Sequence, residues 1–180
     1  NSNWLSANYQ KTINEQVIAS VGASGGYNNQ LEGDSFAGNQ SRSNIMASIN
    51  GGLKFAITNN WLSELNLARY NYNAKMNYES YYMNYGIATV TYLSSFGFFS
   101  GFGSFTQNQY ASVDPISSLQ RKIETSTYGI GYTFALPFIT RPKPKDWTLN
   151  LSYQFGQTYS NVQTYSREFR QYMATLAKSF

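Results

Sequence analysis

Hydrophobic and polar residues alternate along most of this chain with the period of two that a β-strand requires. The clearest stretch is WTLNLSYQFGQTY, which begins at Trp147 and carries an apolar or aromatic residue at nearly every second position. The stretches TYGIGYTFALPF and NIMASINGGLKFAI repeat the pattern. Their other positions hold mainly Gly, Ser, Thr, Asn and Gln, whereas a solvated sheet carries Lys and Glu. The pattern predicts long strands with one apolar face and one small, polar face.

The alternation predicts eight strands, longer than the ~5–6 residues usual in globular proteins and close to the ~9–11 that cross a bilayer at a tilt. The predicted strands are Gln16–Asn28, Asn44–Ile57, Trp61–Asn73, Tyr81–Leu93, Phe96–Gln109, Glu124–Phe138, Trp147–Tyr159 and Phe169–Phe180. Tight turns at Thr58–Asn60 and Ser94–Ser95 alternate with longer polar loops such as Gln30–Ser41 and Tyr110–Arg121. Short turns at one end and long loops at the other, with both termini at the short-turn end, are typical of outer-membrane barrels.

The composition excludes several other classes of protein. The chain is 42% hydrophobic and 17% aromatic but only 12% charged, and ordinary soluble domains carry about twice that share of charge. No apolar run approaches the ~18 residues of a transmembrane helix, and the N-terminal stretch lacks the apolar core of a secretory signal. The net charge of +4 comes without a basic run, which predicts no nucleic-acid partner.

The end of the chain, RQYMATLAKSF, continues the alternation up to its final residue, Phe180. A terminal Phe that ends an alternating strand resembles the C-terminal signal that the bacterial barrel-assembly machinery recognises. The chain as a whole resembles the small eight-stranded outer-membrane barrels of the OmpA, OmpX and OmpW type. Lys178 departs from that family, which usually has an apolar or aromatic residue there, but a lysine beside the boundary can extend its amine to the headgroups.

The resemblance implies an all-β, eight-stranded, antiparallel up-and-down transmembrane β-barrel in the bacterial outer membrane, with both termini periplasmic. Residues 15–180 would form the barrel, and residues 1–14 would be a periplasmic segment or pack against the barrel mouth. Outer-membrane lipid and lipopolysaccharide would surround it, and the barrel-assembly machinery would be a partner through the C-terminal strand. The aromatic residues expected at the membrane boundary, including the terminal signal, are Trp61, Trp147, Tyr172 and Phe180.

Turn positions predict which charged side chains meet in the interior. With Asn59 at the centre of the second hairpin, Lys54 lies opposite Glu64, and the two should pair because an isolated charge in a narrow barrel is costly. The pair has two interpretations, a stabilising ion pair in a plugged interior or a gate in a conducting pore. Strict alternation points Arg69 into lipid, where a midplane Arg costs about 2–4 kcal/mol. We expect either a bulge that turns Arg69 inward toward Glu64 or a position at the outer headgroup boundary.

The next hairpin predicts a filled interior. With Ser94–Ser95 as the turn, Tyr92 faces Gly97 and Val90 faces Phe99 on the interior side. These rings would occupy much of an eight-stranded interior, which is barely wide enough for its own side chains. A free channel through one barrel is therefore not expected. The residues predicted to fill the interior are Met46, Tyr92, Phe99 and Phe105.

Several strands carry small residues on the side assigned to lipid, which predicts a surface for self-association. Small side chains let two surfaces approach closely in a membrane, where packing drives association. The sixth and seventh predicted strands carry dense rings by contrast. The residues of this candidate oligomer face are Ala19, Ala23, Ala47, Gly51, Thr89, Ser100 and Ser104.

Catalysis has little support in the sequence. There are no histidines and no cysteines, which excludes a Ser–His nucleophile, a His base and a His-ligated or Cys-ligated metal. Acids such as Asp114 and Glu168 fall in predicted loops and are expected to be solvated. The sequence therefore predicts no enzyme, no cofactor and no metal site.

Three functions stay open at this stage. A plugged barrel would have a structural or surface-interaction role through its long loops. The alternatives are a narrow channel for small or hydrophobic solutes and a pore or homo-oligomeric assembly of several barrels. The main rival fold is a soluble eight-stranded lipocalin-like barrel with Trp147 and Leu151 inside a ligand calyx, whose outer face would be nearly uncharged and poorly soluble.

Overall fold

The computed structural model describes residues 2–30, 42–74, 79–135 and 147–178, and its strands form one antiparallel sheet. The order of the nine strands in the sheet follows their order in the chain, so each strand pairs only with its sequence neighbours. Within this part of the chain the sheet is not closed, and its first and last strands form the edges. The strands are β1 (Ser2–Asn14), β2 (Val17–Gln30), β3 (Arg42–Ala56), β4 (Trp61–Ala74), β5 (Tyr81–Ser94), β6 (Gly97–Val113), β7 (Gln120–Ala135), β8 (Trp147–Ser160) and β9 (Arg167–Lys178).

The predicted all-β, antiparallel up-and-down arrangement is confirmed, but the strand count of eight is wrong. Each of the eight predicted strands is present with small shifts at its described ends, and β1 is the additional strand. Residues 136–138 and 179–180 of the predicted strands lie outside the described residues. β1 occupies the segment that the sequence assigned to a separate N-terminal extension, and it pairs with β2 along almost its whole length. The two-residue turn Glu15–Gln16 makes this hairpin possible, since the Gln16 N–H donates to Asn14 Oδ1 at 2.9 Å.

Because of the additional strand, the start of β1 and the end of β9 lie at opposite ends of the sheet. With nine alternating strands, β1 starts at the opposite end of the sheet from the end of β9. We call the end that holds the start of β1 and the β6–β7 and β8–β9 connections the loop edge. The other end, which holds Glu15–Gln16, Ile57–Asn60, Ser95–Phe96 and the end of β9, is the turn edge. The expectation that both termini share the short-turn end therefore does not hold for the described residues.

The two faces of the sheet differ in composition and in exposure. In β4 and β5 the side chains on one face are mostly exposed, while those on the other face are mostly half-buried. The two faces of these strands are therefore exposed to different extents. The more exposed face carries most of the aliphatic and aromatic residues and is called the apolar face. The other, called the polar face, is rich in Ser, Thr, Asn, Gln and Gly.

The described residues have no hydrophobic core of the kind that stabilises a soluble domain. None of their large side chains is fully buried. The chain exposes 12840 Å² of surface, whereas a compact protein of this mass exposes about 8,800 Å². Gln163–Tyr165 form a short 3₁₀ turn, and no helix in the described part of the chain is long and apolar enough to cross a membrane.

Candidate functional site

The apolar face extends across all nine strands and is the largest candidate surface of the molecule. Strand register places its side chains in continuous rows, such as Leu53, Leu65 and Ala88 across β3, β4 and β5. Many of these side chains are strongly exposed, among them Leu5 at 81% and Tyr172 at 77%. Other large, exposed members of this face are Val21, Ile49, Leu67, Val90, Phe99, Phe105, Ile130 and Leu151. A surface of this extent and chemistry is poorly suited to water.

Aromatic pairs join neighbouring strands on the apolar face. Trp61 of β4 and Tyr92 of β5 are opposite in register, with ring centroids 4.9 Å apart. Tyr153 of β8 and Tyr172 of β9 repeat the arrangement at 4.8 Å. Such cross-strand ring pairs stabilise a sheet beyond the area that they bury.

The sheet places Tyr92, Phe99 and Phe105 on the face opposite Met46, although all four were predicted to fill one interior. Tyr92 lies opposite Trp61 on one side and Phe99 on the other, so it shares the apolar face with them. Phe105 lies on the same face, in register with Gly86. The physical reason is that rings occur on both parities of β5 and β6, so the pairing with β4 decides the face. Of the four residues predicted to fill the interior, Met46 alone lies on the polar face.

The candidate oligomer face is divided between the two sides of the sheet. Its alanines and Gly51 lie on the apolar face of β2 and β3, where Ala19 pairs with Leu53. Thr89, Ser100 and Ser104 lie on the polar face, because Thr89 pairs with Glu64 and continues its row. One continuous surface of small residues is therefore not present. The prediction placed β5 and β6 the wrong way round relative to β2 and β3, because both parities of β5 and β6 carry rings.

A band of polar side chains ends the apolar face on its loop-edge side in β4 to β9. Gln107 is at its centre, donating to Glu124 Oε1 at 3.0 Å and accepting from Asn84 Nδ2 at 3.4 Å. Further along, Gln157 donates to Glu168 Oε1 at 2.9 Å. We call this group the polar band, and its members are Arg69, Asn84, Gln107, Lys122, Glu124, Gln157, Glu168 and Arg170.

Arg69 belongs to the polar band and does not turn toward Glu64. The β3–β4 ladder runs without a register shift, so the predicted bulge is absent and Arg69 stays on the apolar face. Its guanidinium carbon lies 5.8 Å from the centroid of the Tyr82 ring. Glu168 also differs from the prediction, because it lies within β9 and is hydrogen-bonded to Gln157.

The polar face brings Lys54 and Glu64 together near the turn edge. The two are opposite in register, and Lys54 Nζ lies 3.3 Å from Glu64 Oε2. Asn66 donates to the other carboxylate oxygen of Glu64 at 2.8 Å. The Lys54 side chain is 60% exposed, so water screens the pair and its contribution to stability is small.

Rings cover glycines on the polar face, at positions other than those predicted. The Phe102 ring occupies the space where a Cβ at Gly129 would lie, and the two residues are opposite in register. Phe169 covers Gly156 in the same way across β8 and β9. These glycines leave room for a ring of the neighbouring strand, which is a known device for positioning strands.

A cluster around Asp114 connects two loops at the loop edge. Asp114 Oδ1 accepts the N–H groups of Ile116 at 2.9 Å and Ser117 at 3.0 Å, which closes the β6–β7 loop. Its Oδ2 accepts from the Tyr165 hydroxyl at 3.3 Å and faces Arg121 Nη1 at 3.5 Å. Asp114 is only 6% exposed, so the expectation of a solvated loop carboxylate is wrong.

Arg121 lies between two tyrosine rings in this cluster. Its guanidinium carbon is 3.6 Å from the Tyr110 ring centroid and 4.6 Å from that of Tyr165. Its Nε is buried and has no hydrogen-bond partner, so the rings and Asp114 hold the guanidinium. A row of tyrosines continues from Tyr110 through Tyr81 to Tyr72, with centroids 5.3 Å and 4.9 Å apart.

The pKa of Asp114 lies below its ordinary value. The main cause is the hydrogen bond from the Ser117 N–H, which favours the charged carboxylate, and the N–H of Ile116 acts in the same direction. Partial burial opposes them. Asp114 is therefore ionised at neutral pH and can hold both loops.

The residues predicted for the membrane boundary do not all lie at an end of the sheet. Trp61 and Trp147 begin β4 and β8 at the turn edge. Tyr172 lies in the middle of β9, where it pairs with Tyr153. Phe180 lies outside the described residues, so the terminal signal stays a prediction.

The sequence missed the Asp114 cluster and the polar band. The signal for the band was present, since several strands change from apolar to polar on one parity, as β8 does at Gln157. No protein-family model and no curated protein sequence matches this chain.

Proposed function

We propose that this protein is an integral membrane β-barrel component of the bacterial outer-membrane type, with the apolar face in contact with lipid. The observation that carries the proposal is a single-layer sheet whose apolar side chains are exposed and whose described residues have no fully buried large side chain. In water such a surface would drive aggregation. In a bilayer the same surface contacts lipid tails, which are as apolar as its own side chains. The sheet therefore needs no second protein layer to cover this face.

The length of the apolar face supports the proposal. In β8 this face is apolar from Trp147 to Phe155 and becomes polar at Gln157. At ~3.3 Å per residue and a tilt of ~45°, this stretch rises about 20 Å, close to the ~25 Å apolar band of membrane barrels. The polar band then lies at the depth of the headgroups, where Arg69 and Lys122 can meet anionic groups of lipid or lipopolysaccharide.

The loop edge supports a surface-interaction role, which we propose as the protein's main function. Asp114 and Tyr165 hold two loops together, and Asn161 adds a further link by donating to Gln120 O at 2.8 Å and accepting the Lys122 N–H at 2.8 Å. Loops held in this way present a fixed surface, which is what recognition of another molecule requires. In the proposed orientation the loop edge faces outward and the turn edge faces the periplasm.

A water-filled pore is the second candidate function. The observation that favours it is the placement of Tyr92, Phe99 and Phe105 on the apolar face, which removes three of the four rings or side chains predicted to fill the interior. Beside the rings of Phe102 and Phe169, the polar face carries small polar residues and the exposed Lys54–Glu64 pair, which suit a path lined with water. Planar-bilayer recordings test it, since a stepwise conductance that changes on Lys54→Gln would support a pore.

Refolding with and without detergent micelles tests the main proposal. A strand-rich species whose gel mobility shifts on heating, and which forms only with micelles, is the expected result. A monodisperse, strand-rich protein in plain buffer would overturn the proposal and favour the soluble, inverted barrel with a ligand calyx.

A further inference from the structure

Among the described residues, no strand pairs with the outer side of β1 or of β9. β1 pairs only with β2 and β9 only with β8, and no ladder joins β1 to β9 among the described strands. If the apolar face lies in lipid, as proposed above, both edges lie in hydrocarbon too. Open sheet edges do not occur there, because no water is present to satisfy their N–H and C=O groups. Something must therefore pair with both edges.

The apolar positions of the two edge strands indicate that both lie at membrane depth. Along the chain, β1 places Leu5, Ala7 and Tyr9 on the apolar face and then Lys11. In the same direction, β9 places Tyr172, Ala174 and Leu176 on this face, followed by Lys178. Both edges thus have an apolar stretch of the same length that ends in a lysine toward the turn edge.

The direction of the edge strands limits what can close the sheet. Because nine strands alternate in direction, β1 and β9 run the same way. Direct pairing of β1 with β9, within one chain or between two copies in the same orientation, would be parallel. Copies in opposite orientations could pair antiparallel but would place their loop edges on opposite sides of the membrane. Closure with antiparallel pairs alone needs an odd number of strands between β9 and β1, so that the total is even, as in bacterial barrels.

We propose that the sheet is one part of a larger barrel, closed by a strand-bearing polypeptide segment outside residues 2–178 that contributes an odd number of antiparallel strands. The chemistry of that segment follows from the edges that it meets. Its strands have one apolar face of about the length seen in β8 and one small, polar face. The larger barrel would have a wider interior than nine strands enclose. This inference rests on the proposed membrane location.

Two tandem fusions test the number of strands directly. In the first, a copy of residues 15–166, which carries β2 to β8, precedes the full chain and adds seven strands. In the second, a copy of residues 2–166 adds eight strands. The junction is identical, and it connects β8 of the copy to β1 at the loop edge. The first fusion allows antiparallel closure between β9 and the copied β2, whereas the second allows only a parallel closure.

The readout is amide hydrogen exchange of β9 after refolding into phosphatidylcholine vesicles. We expect exchange at residues 172–176 to slow by at least about tenfold in the seven-strand fusion relative to the unfused chain, and not in the eight-strand fusion. Equal protection in both fusions, or better protection in the eight-strand fusion, would overturn the inference. If all three proteins fold equally well in plain buffer, the membrane proposal itself fails.

A disulfide test on the unfused chain of residues 1–180 keeps the inference open to refutation even if both fusions misfold. The chain has no cysteine, so Ala7→Cys and Ala174→Cys can be introduced alone or together. We expect no disulfide after oxidation in vesicles at low protein density. A disulfide inside one molecule of the double variant would show that β1 and β9 of the same chain close the sheet. A disulfide between two molecules would show closure by a second copy. Either result would overturn the inference.

Discussion

Trp61 and Tyr92 lie opposite each other across β4 and β5, with ring centroids 4.9 Å apart, on the face that carries Leu65 and Ala88. The pair is at the turn-edge end of the apolar face, where Trp61 begins its strand. In the proposed account this is the inner boundary of the bilayer, where Trp and Tyr are the preferred residues. The pair therefore contributes both to strand pairing and to position in the membrane.

A double-mutant cycle measures the strand-pairing contribution of these rings. Trp61→Leu and Tyr92→Ala should show a coupling free energy of about 0.5–1.5 kcal/mol in urea unfolding from lipid vesicles, because the rings touch. The control cycle combines Trp61→Leu with Tyr128→Ala. Tyr128 lies on the same face but on β7, whereas Tyr92 lies on β5, next to β4. Its coupling should be close to zero. Equal coupling in both cycles would contradict the specific pairing.

The covered glycines predict a sharp difference between two substitutions. Gly156→Ala places a methyl group where the Phe169 ring lies, so the ring or the strand must move, and a loss of about 1–3 kcal/mol is expected. Gly25→Ala is the matched control, because its nearest neighbour would be Met46 O at 3.8 Å. Unfolding in vesicles measures both. Similar losses for the two variants would mean that Phe169 does not cover Gly156.

The polar band predicts how an arginine behaves at neighbouring depths. Leu67→Arg adds a second charge two residues from Arg69, toward the middle of the apolar face, and should destabilise the protein by about 2–4 kcal/mol in vesicles. Arg69→Leu removes only a charge near the headgroups and the contact with Tyr82, so it should cost less than about 1 kcal/mol. Urea unfolding compares the two variants. A neutral Leu67→Arg would place this part of the sheet in water.

Asp114 predicts a pH dependence of the loop edge. Because its pKa is lowered in the folded state, the stabilisation is fully present above the ordinary carboxyl pKa of ~3.9 and is lost as pH falls through the lower folded value. The Tyr165 environment, followed by NMR in micelles, should therefore change only below about pH 4. In Asp114→Asn the changed environment should be present at every pH. A transition near neutral pH would contradict this assignment.

Trypsin tests the same cluster at neutral pH. Loss of the Asp114 charge frees Arg121 and both loops, so cleavage after Arg121 should become roughly tenfold faster in Asp114→Asn. Glu168→Gln is the control, because it changes a carboxylate outside the cluster. Arg121→Lys separates ring stacking from charge, since lysine keeps the charge but not the planar group. Unchanged cleavage in Asp114→Asn would show that the loops are held by other contacts.

Alternation predicted the strands where only one parity is apolar, as in β8, and a hairpin centred on Asn59 correctly placed Lys54 opposite Glu64 in register. It failed for β1, because Trp4 on the polar face and Lys11 on the apolar face obscure the pattern. It failed for the face of β5 and β6, because Phe102 and Phe105 give both parities rings. The Asp114 cluster depends on the approach of Tyr165, which is 51 residues away in sequence, and no local pattern reports that contact.

Lipid contact at two adjacent residues shows whether the apolar face lies in the membrane. Leu151 lies on the apolar face and Ser152 on the polar face, so Leu151→Cys and Ser152→Cys can each carry one fluorophore in a chain without other cysteines. In vesicles with a nitroxide at the lipid midplane, we expect strong quenching of the label at position 151 and little at position 152. Quenching of the Leu151 label by aqueous iodide, with no effect of the lipid nitroxide, would contradict it.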